Sequence, residues 1–314
     1  MLKQRTLRNH VEVTGTGIHS GKPVRLTLGP AGIDQGLRLI RTDVQPHVEI
    51  PLQTDSVVDT RMSTSVGKDG VTVSTVEHLM SAFWGMGIDN ATVQVEGDEI
   101  PIMDGSASQF IFLIESAGIQ EQEAEKSFIR VRKPVEVRDE KSGAWAKVEP
   151  YDGMRITFTL SYEHPVLEKD SQPVSIDLSQ DCYIREISRA RTFGFASDLA
   201  ALQANQKALG VSEHNAIALG EQEILNATAL RFSNEFSRHK VLDALGDLYL
   251  AGKPLIGHFI GYKSGHTLNN ELMRQLLQQE DAWELIRFHA SQPQVGDVDS
   301  QKFWQSPFPK LRTA

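Results

Sequence analysis

One order of elements occurs twice along this chain, and that repetition constrains the fold more than any other feature. The run TVEHLMSAFWGMG (75–87) has apolar residues at helical spacing. An apolar strand run at 91–95, a turn at Asp104-Gly105 and a helix from about 107 follow it. The run SRHKVLDALGDLYLAG (237–252) is followed in the same way by a strand run at 255–260, a turn at Gly265-His266 and a helix from about 268. Laying one run on the other superposes His78 on His239 and Gly85 on Gly246. VEV opens the strand runs of both halves, at 11–13 and 135–137. A pattern that returns in this order reads as one module used twice.

The first half alternates apolar and polar residues around Gly turns, with hairpin strands near 8–14 and 22–28. The second restarts at FIRVRKPVEVRDEKSGAWAKVEPYDGMRITFTLSY (128–162), which reads as three or four strands. Between them the polar stretch GIQEQEAEKS (118–127) marks the expected boundary. The fold class is therefore α+β, with two domains of related topology, each a sheet packed with helices in a layered sandwich. The expected bounds are 1–125 and 126–295; residues 296–314 lack periodicity and read as a tail.

Over 314 residues the net charge is −9, which argues against nucleic-acid binding because that needs a basic face. An anionic substrate would need a few local lysines or arginines. No run of about 18 apolar residues occurs, so no spanning helix is expected and any membrane contact would be peripheral. The segment MLKQRTLRNHVEVTG has no apolar stretch and no small-residue cleavage site, so no signal peptide is expected. Cys182 stands alone, which leaves no internal disulfide and fits a reducing, cytoplasmic setting.

The second helical run carries an oddity. His239, Asp243 and Asp247 recur every fourth residue, which places them on one helix face among Val241, Leu242, Leu245, Leu248 and Tyr249. A carboxylate in such surroundings must be paired or bound to a cation. Imidazole and carboxylate one turn apart can chelate one ion and suit Zn²⁺; a bare H-x-x-x-D also matches a solvated polar face. In the first run, Ser74 and Glu77 match the S-x-x-E capping box, and His78 alone would read as a satisfied core histidine. The repeat changes that weighting. Two such helices packed about a pseudo-twofold bring His78 to His239, with Asp243 as third ligand and the fourth position open, as in catalytic zinc sites. Glu77 would then stand beside a metal-bound water, where a general base is needed. His266 sits at the Gly turn before a helix, where the dipole would lower its pKa and a carboxylate partner would raise it. Asp247 is the candidate partner, and a capping or surface histidine is the plainer alternative.

The motifs GTGIHSGKPVRLTLGPA, TVEHLMSAF, DGSA, ARTFGF, EFSRHKVLDALGDLYLAG and YKSGHTLNN closely resemble the UDP-3-O-acyl-N-acetylglucosamine deacetylase family of lipid A biosynthesis. The resemblance runs from about residue 2 to 300 with the motifs in order. It implies two α+β domains, each with a small insert, and an active site between them. It also implies a cytoplasmic zinc enzyme that removes the N-acetyl group in the committed step toward lipid A. Residue by residue, it makes His78, His239 and Asp243 the zinc ligands and Glu77 the base. His266 would act on the amine side and Asp247 would orient it. Thr192 would help hold the oxyanion and Phe193 would lie beside the sugar. Lys240 and Lys263 would sit near the diphosphate, and Tyr162 would stack on uracil. His19 and Ile18 would line the cleft. Ser63 stands where many members carry a cysteine, so thiol sensitivity there is expected to be absent. GVSEHNAIALG (210–220) and Ala144 also depart from the commoner pattern.

The acyl chain would occupy an apolar passage in an insert near 194–222, with Leu199, Leu202, Ala208 and Ile217 as candidates; a small satellite core is the other reading. The UDP-linked acylated sugar is then the partner, and a monomer is expected. Two rival functions fit the residues: a zinc amidase for another N-acetylated sugar nucleotide, and a non-catalytic sugar-nucleotide sensor with structural zinc.

Overall fold

The structure, a computed structural model, describes residues 2–288. The expected tail at 296–314, and the last residues assigned to the second domain, lie outside the described residues. In the first half the elements run β1 (Lys3–Leu7), β2 (Val11–Thr16), β3 (Pro23–Pro30), β4 (Leu37–Arg41) and β5 (Val48–Pro51). Then come β6 (Val57–Asp59), β7 (Ser65–Lys68), β8 (Val71–Val73), α1 (Glu77–Met86), β9 (Ala91–Glu96), α2 (Ser108–Ala117) and β10 (Ile119–Glu125). The second half runs β11 (Ser127–Val131), β12 (Val135–Asp139), β13 (Ala144–Glu149), β14 (Met154–Thr159), α3 (Pro165–Glu168) and β15 (Val174–Asp177). It continues with α4 (Gln180–Glu186), β16 (Phe193–Phe195), α5 (Ala196–Ala204), β17 (Ile217–Leu219), α6 (Glu235–Tyr249), β18 (Leu255–Tyr262), α7 (His266–Gln278) and β19 (Trp283–Arg287).

The two halves share one topology. In the first, β2-β3-β9-β4-β5 pair side by side, and β4 runs parallel to β9 while every other neighbour is antiparallel. In the second, β12-β13-β18-β14-β15 pair in the same order, and here β14 is the strand parallel to β18. Each half also pairs its first and last strands antiparallel, β1 with β10 and β11 with β19. The inserts fill the same slot before the main helix. The first is the three-stranded β6-β7-β8, and the second holds the parallel pair β16-β17 with α5.

Alternation explains how each sheet gains one buried face. Leu26 and Leu28 of β3 and Ala146 and Val148 of β13 point inward, with Arg25, Trp145 and Lys147 on the outer side. Helices α1 and α6 are buried along nearly their whole length and pack against each other between the sheets. Each fully buried Leu or Phe there, such as Phe83 or Leu245, contributes roughly 1.5–3 kcal/mol over exposure. Their approach is close because Gly246 has no side chain: a Cβ there would lie 2.0 Å from the Glu77 carbonyl oxygen. Gly85, its counterpart in the repeat, instead makes room for the Tyr183 ring of α4.

Three local expectations change. The hairpin strands begin later, at Val11 and Pro23, because the Arg8 and Asn9 N–H groups donate to the carbonyls of Gly118 and Ala117. The polar stretch 118–127 is not irregular: Ile119–Glu125 form β10, whose polar side chains are tolerated because the strand pairs only with β1. The Ser74–Glu77 capping box does not form. Ser74 is held in a bridge to Glu99, Thr75 turns through φ +60, and α1 starts with no side-chain cap. Among the described residues, no helix is long and apolar enough to cross a membrane.

Candidate active site

His78 is the second residue of α1, and His239 and Asp243 stand one turn apart on α6. His78 Nε2 and His239 Nε2 lie 3.4 and 3.3 Å from the same atom, Asp243 Oδ1. The two rings meet edge to face, with centroids 5.0 Å apart. Among the described residues this is the group of His, Cys, Asp or Glu side chains that converges as metal ligands do, all three buried and with ligand atoms within 4.8 Å of one another.

The donor set fits a small divalent ion. His239 Nδ1 donates to the Ala190 carbonyl at 3.0 Å, which leaves Nε2 as the free lone pair facing the cluster. Asp243 Oδ1 is buried without a hydrogen-bond donor, a cost that a cation would remove. Separations of 3.3 and 3.4 Å match the edge of a tetrahedron with bonds of about 2.0–2.1 Å. Burial, against the pull of Asp243, pushes His239 down to about 4, so the ring is neutral at neutral pH. Burial opposes ionisation of Asp243, but His239 and the Lys240 ammonium hold its carboxyl well below the usual range.

Beside this group stands an acid–base pair. Glu77 opens α1; its Oε2 accepts the Thr64 N–H at 3.0 Å, and its Oε1 faces His266 Nε2 at 3.9 Å. His266 is the first residue of α7, two residues earlier in the helix than its sequence suggests. Its Nδ1 lies 2.9 Å from Asp247 Oδ2, so Nε2 is aimed at the cleft. Asp247 is itself held, by Thr64 Oγ1 at 2.6 Å and Asn269 Nδ2 at 2.9 Å. Burial raises the Glu77 carboxyl above its ordinary value, in spite of His266 and His78. Burial disfavours the His266 imidazolium, yet Asp247 and Glu77 outweigh it and lift the ring to about 9. The carboxylate partner expected at the Gly turn is Asp247, and it is the leading influence that raises the ring.

A solvent-open cleft of about 1430 Å³ leads to these groups, with Glu77, His78, His239, Asp243 and His266 at its base. Thr192, Phe193, Tyr162, Ser63, His19 and Ile18 line it, and so do the apolar side chains Leu199, Leu202, Ala208 and Ile217. Thr192 is clamped from both halves. Its N–H donates to the Gly105 carbonyl, and its own carbonyl accepts the Ile217 N–H, each at 2.8 Å. Gly105 allows this at φ +81, where a Cβ would lie 2.1 Å from the Asn215 oxygen. The two lysines part company. Lys240 lines the cleft but is held at 2.9 Å by Asp243 Oδ2, whereas Lys263 is exposed over the Tyr262 ring and does not line it.

Thr64, Asn269 and the Ala190 carbonyl escape sequence reasoning, although each holds a side chain of the site. Their residue types carry no signal by themselves: only the folded chain brings Thr64 to Glu77 of α1 and Asp247 of α6, Ala190 to His239 of α6, and Asn269 of α7 to Asp247.

A family model described as LpxC, UDP-3-O-acyl N-acetylglycosamine deacetylase, matches residues 4–278. The chain is 52% identical over 288 residues to a UDP-3-O-acyl-N-acetylglucosamine deacetylase of Methylococcus capsulatus, an alignment spanning 92% of this chain and 94% of the relative. A protein of the same name from Hahella chejuensis is also 52% identical over 288 residues, spanning 92% and 95%. One from Shewanella halifaxensis is 49% identical over 289 residues, spanning 92% and 94%. With the repeated topology, the His-His-Asp cluster and these likenesses together, the chain belongs to the UDP-3-O-acyl N-acetylglycosamine deacetylase family.

Proposed function

We propose that the chain hydrolyses the N-acetyl group of UDP-3-O-(3-hydroxyacyl)-N-acetylglucosamine, releasing acetate and the free amine, the committed step of lipid A biosynthesis. The observation that carries this reading is the convergence of His78, His239 and Asp243 beside the facing pair Glu77 and His266, in a cleft that apolar side chains also line. His78 and His239 through Nε2, with Asp243 through Oδ1, are the residues that would hold Zn²⁺. Bound there, Zn²⁺ supplies Lewis-acid polarisation of the amide carbonyl and makes water acidic enough to attack near neutral pH.

The chain's own groups do the rest. Glu77, with Oε2 fixed by Thr64 and Oε1 turned to the cleft, takes a proton from the attacking water. The Thr192 hydroxyl, on a backbone clamped from both halves, donates to the oxygen that becomes negative. His266, charged below about 9 and oriented by Asp247, gives its Nε2 proton to the departing nitrogen. Tyr162 and Phe193 offer ring faces for the nucleotide and sugar, and Ile18, His19 and Ser63 shape the wall. Lys240 gives the anionic substrate a cation in the cleft; Lys263 would act from outside it. Leu199, Leu202, Ala208 and Ile217 would take the acyl chain.

The division into units 1–125 and 126–295 is part of this reading, supported by the return of the same strand order in the second half. A monomer is also part of it, because one chain supplies every group named, and so is a cytoplasmic setting, which the free thiol of Cys182 fits. Acetate release from synthetic substrates of differing acyl length, with and without a chelator, tests it. We expect release only with metal, and a loss of roughly 10²-fold in kcat/KM when four buried methylenes are removed. Release that is indifferent to chelation would overturn the reading.

A further inference from the structure

Behind the wall formed by Ile18 and His19 lies a carboxylate that the chemistry above does not use. Glu99 is 1% exposed. Its Oε1 accepts the His19 N–H at 2.9 Å and the Thr75 hydroxyl at 3.1 Å, and its Oε2 accepts the Ser20 N–H at 2.9 Å. A buried carboxylate satisfied by such donors ties down whatever carries them. Here the donors belong to two separate walls of the cleft.

The first wall is the loop 17–20. Its His19 and Ser20 N–H groups face Glu99, and its Ile18 and His19 carbonyls face the second insert: Leu209 N–H donates to His19 and Gly210 N–H to Ile18, both at 3.0 Å. The stack leaves no spare room. A Cβ on Gly17 would lie 2.2 Å from Glu99 Oε2, and one on Gly210 would lie 2.2 Å from the Gly17 oxygen. Ala208, which lines the cleft, directly precedes this seam. The second wall begins at Thr75, whose φ of +60 is strained for a β-branched residue. Its hydroxyl bond to Glu99 helps hold that turn, and the turn sets the direction in which Glu77 and His78 enter α1.

We propose that Glu99 is a positioning residue that sets two walls of the cleft against each other, the acyl side through loop 17–20 and the insert, the base-and-ligand side through Thr75. The activity arms of the test rest on the deacetylase reading. The full chain, loaded with zinc, is compared as wild type, Glu99→Gln and Thr75→Val on UDP-linked substrates with long and short acyl chains. Amide hydrogen exchange at Leu209 and Gly210 is followed in parallel. Glu99→Gln should keep its zinc, lose about tenfold in kcat, and lose a similar factor of its preference for the long chain. Its Leu209 and Gly210 amides should exchange about tenfold faster. Thr75→Val should lower kcat and leave the long-to-short ratio unchanged.

A zinc-loaded Glu99→Gln with wild-type chain preference and wild-type exchange would overturn the proposal. If Glu99→Gln does not fold, Thr75→Val decides: a kcat loss at constant ratio supports the proposal, and unchanged kcat overturns it. Wild type that releases no acetate would overturn the deacetylase reading alone. Exchange at Leu209 and Gly210 in Glu99→Gln would still decide this one.

Discussion

Helices α1 and α6 hold the same place in the two halves, and at the site they share a histidine and little else. Where α6 has Asp243 and Asp247, α1 has Ala82 and Met86; where α1 has Glu77, α6 has Arg238. Ala82 and Met86 are part of the apolar core, and Arg238 turns to Asn234 and Glu186 and does not line the cleft. The glycines differ in the same sense. Gly246 takes the backbone of Glu77 against it, whereas Gly85 takes a tyrosine ring. A twofold module can supply two like ligands, but hydrolysis needs unlike groups facing each other. The asymmetric residues and the asymmetric packing provide them.

If the histidines and Asp243 form one centre built by both helices, removing any of them should be the most damaging change. His78→Ala, His239→Ala and Asp243→Ala should each lose bound zinc and nearly all activity, as measured by metal analysis and acetate release. Full occupancy in the α1 variant alone would break the idea that both halves share the ion.

The unlike groups come next. Glu77→Gln should keep zinc and lose on the order of 10²–10⁴ in rate. As the proposed base, Glu77 would work ionised, and burial raises its carboxyl above the ordinary value, so activity should fall as pH drops through that raised value. As the proposed acid, His266 would work protonated, and Asp247 and Glu77 lift its ring to about 9 against burial, so activity should also fall as pH rises through about 9. Asp247→Asn removes the leading influence that raises His266. The alkaline limb should move to lower pH and the rate drop by about 10–100-fold. An unmoved limb in the pH profile would take the acid role away from His266.

The glycine pair sharpens the comparison further. Gly246→Ala and Gly85→Ala should each destabilise by about 1–3 kcal/mol in denaturant titrations. Gly246→Ala should in addition lose about tenfold in kcat, because its new methyl displaces Glu77. The smallest effect belongs to Arg238→Ala, which sits opposite Glu77 in the repeat; its kcat/KM should stay within about threefold of wild type.

Much of this is legible in the sequence because polar groups stand out in apolar helices. The stripe on α6 and the Glu-His pair on α1 are visible for that reason, and the repeated order of elements brings them together. What hides is whatever depends on tertiary partners. The strand β10 reads only as a polar boundary stretch because a strand with one neighbour can stay polar. Ser74 has the spacing of a cap, but the bridge to Glu99 and the turn at Thr75 claim it first. Thr64 holds both Glu77 and Asp247 yet looks like any strand threonine. Lys240 stands near the diphosphate in the family resemblance; its pairing with Asp243 follows the three-residue spacing on α6, which the reading for phosphate passes over.

If one ion, shared by α1 and α6, makes this cleft a hydrolase, zinc titration of the chelated protein should show it. Acetate release should rise linearly with added zinc and level off at one zinc per chain in the wild type. His78→Ala should neither bind the ion nor recover activity. Full activity before zinc is added, or one tightly held zinc in His78→Ala, would contradict the account.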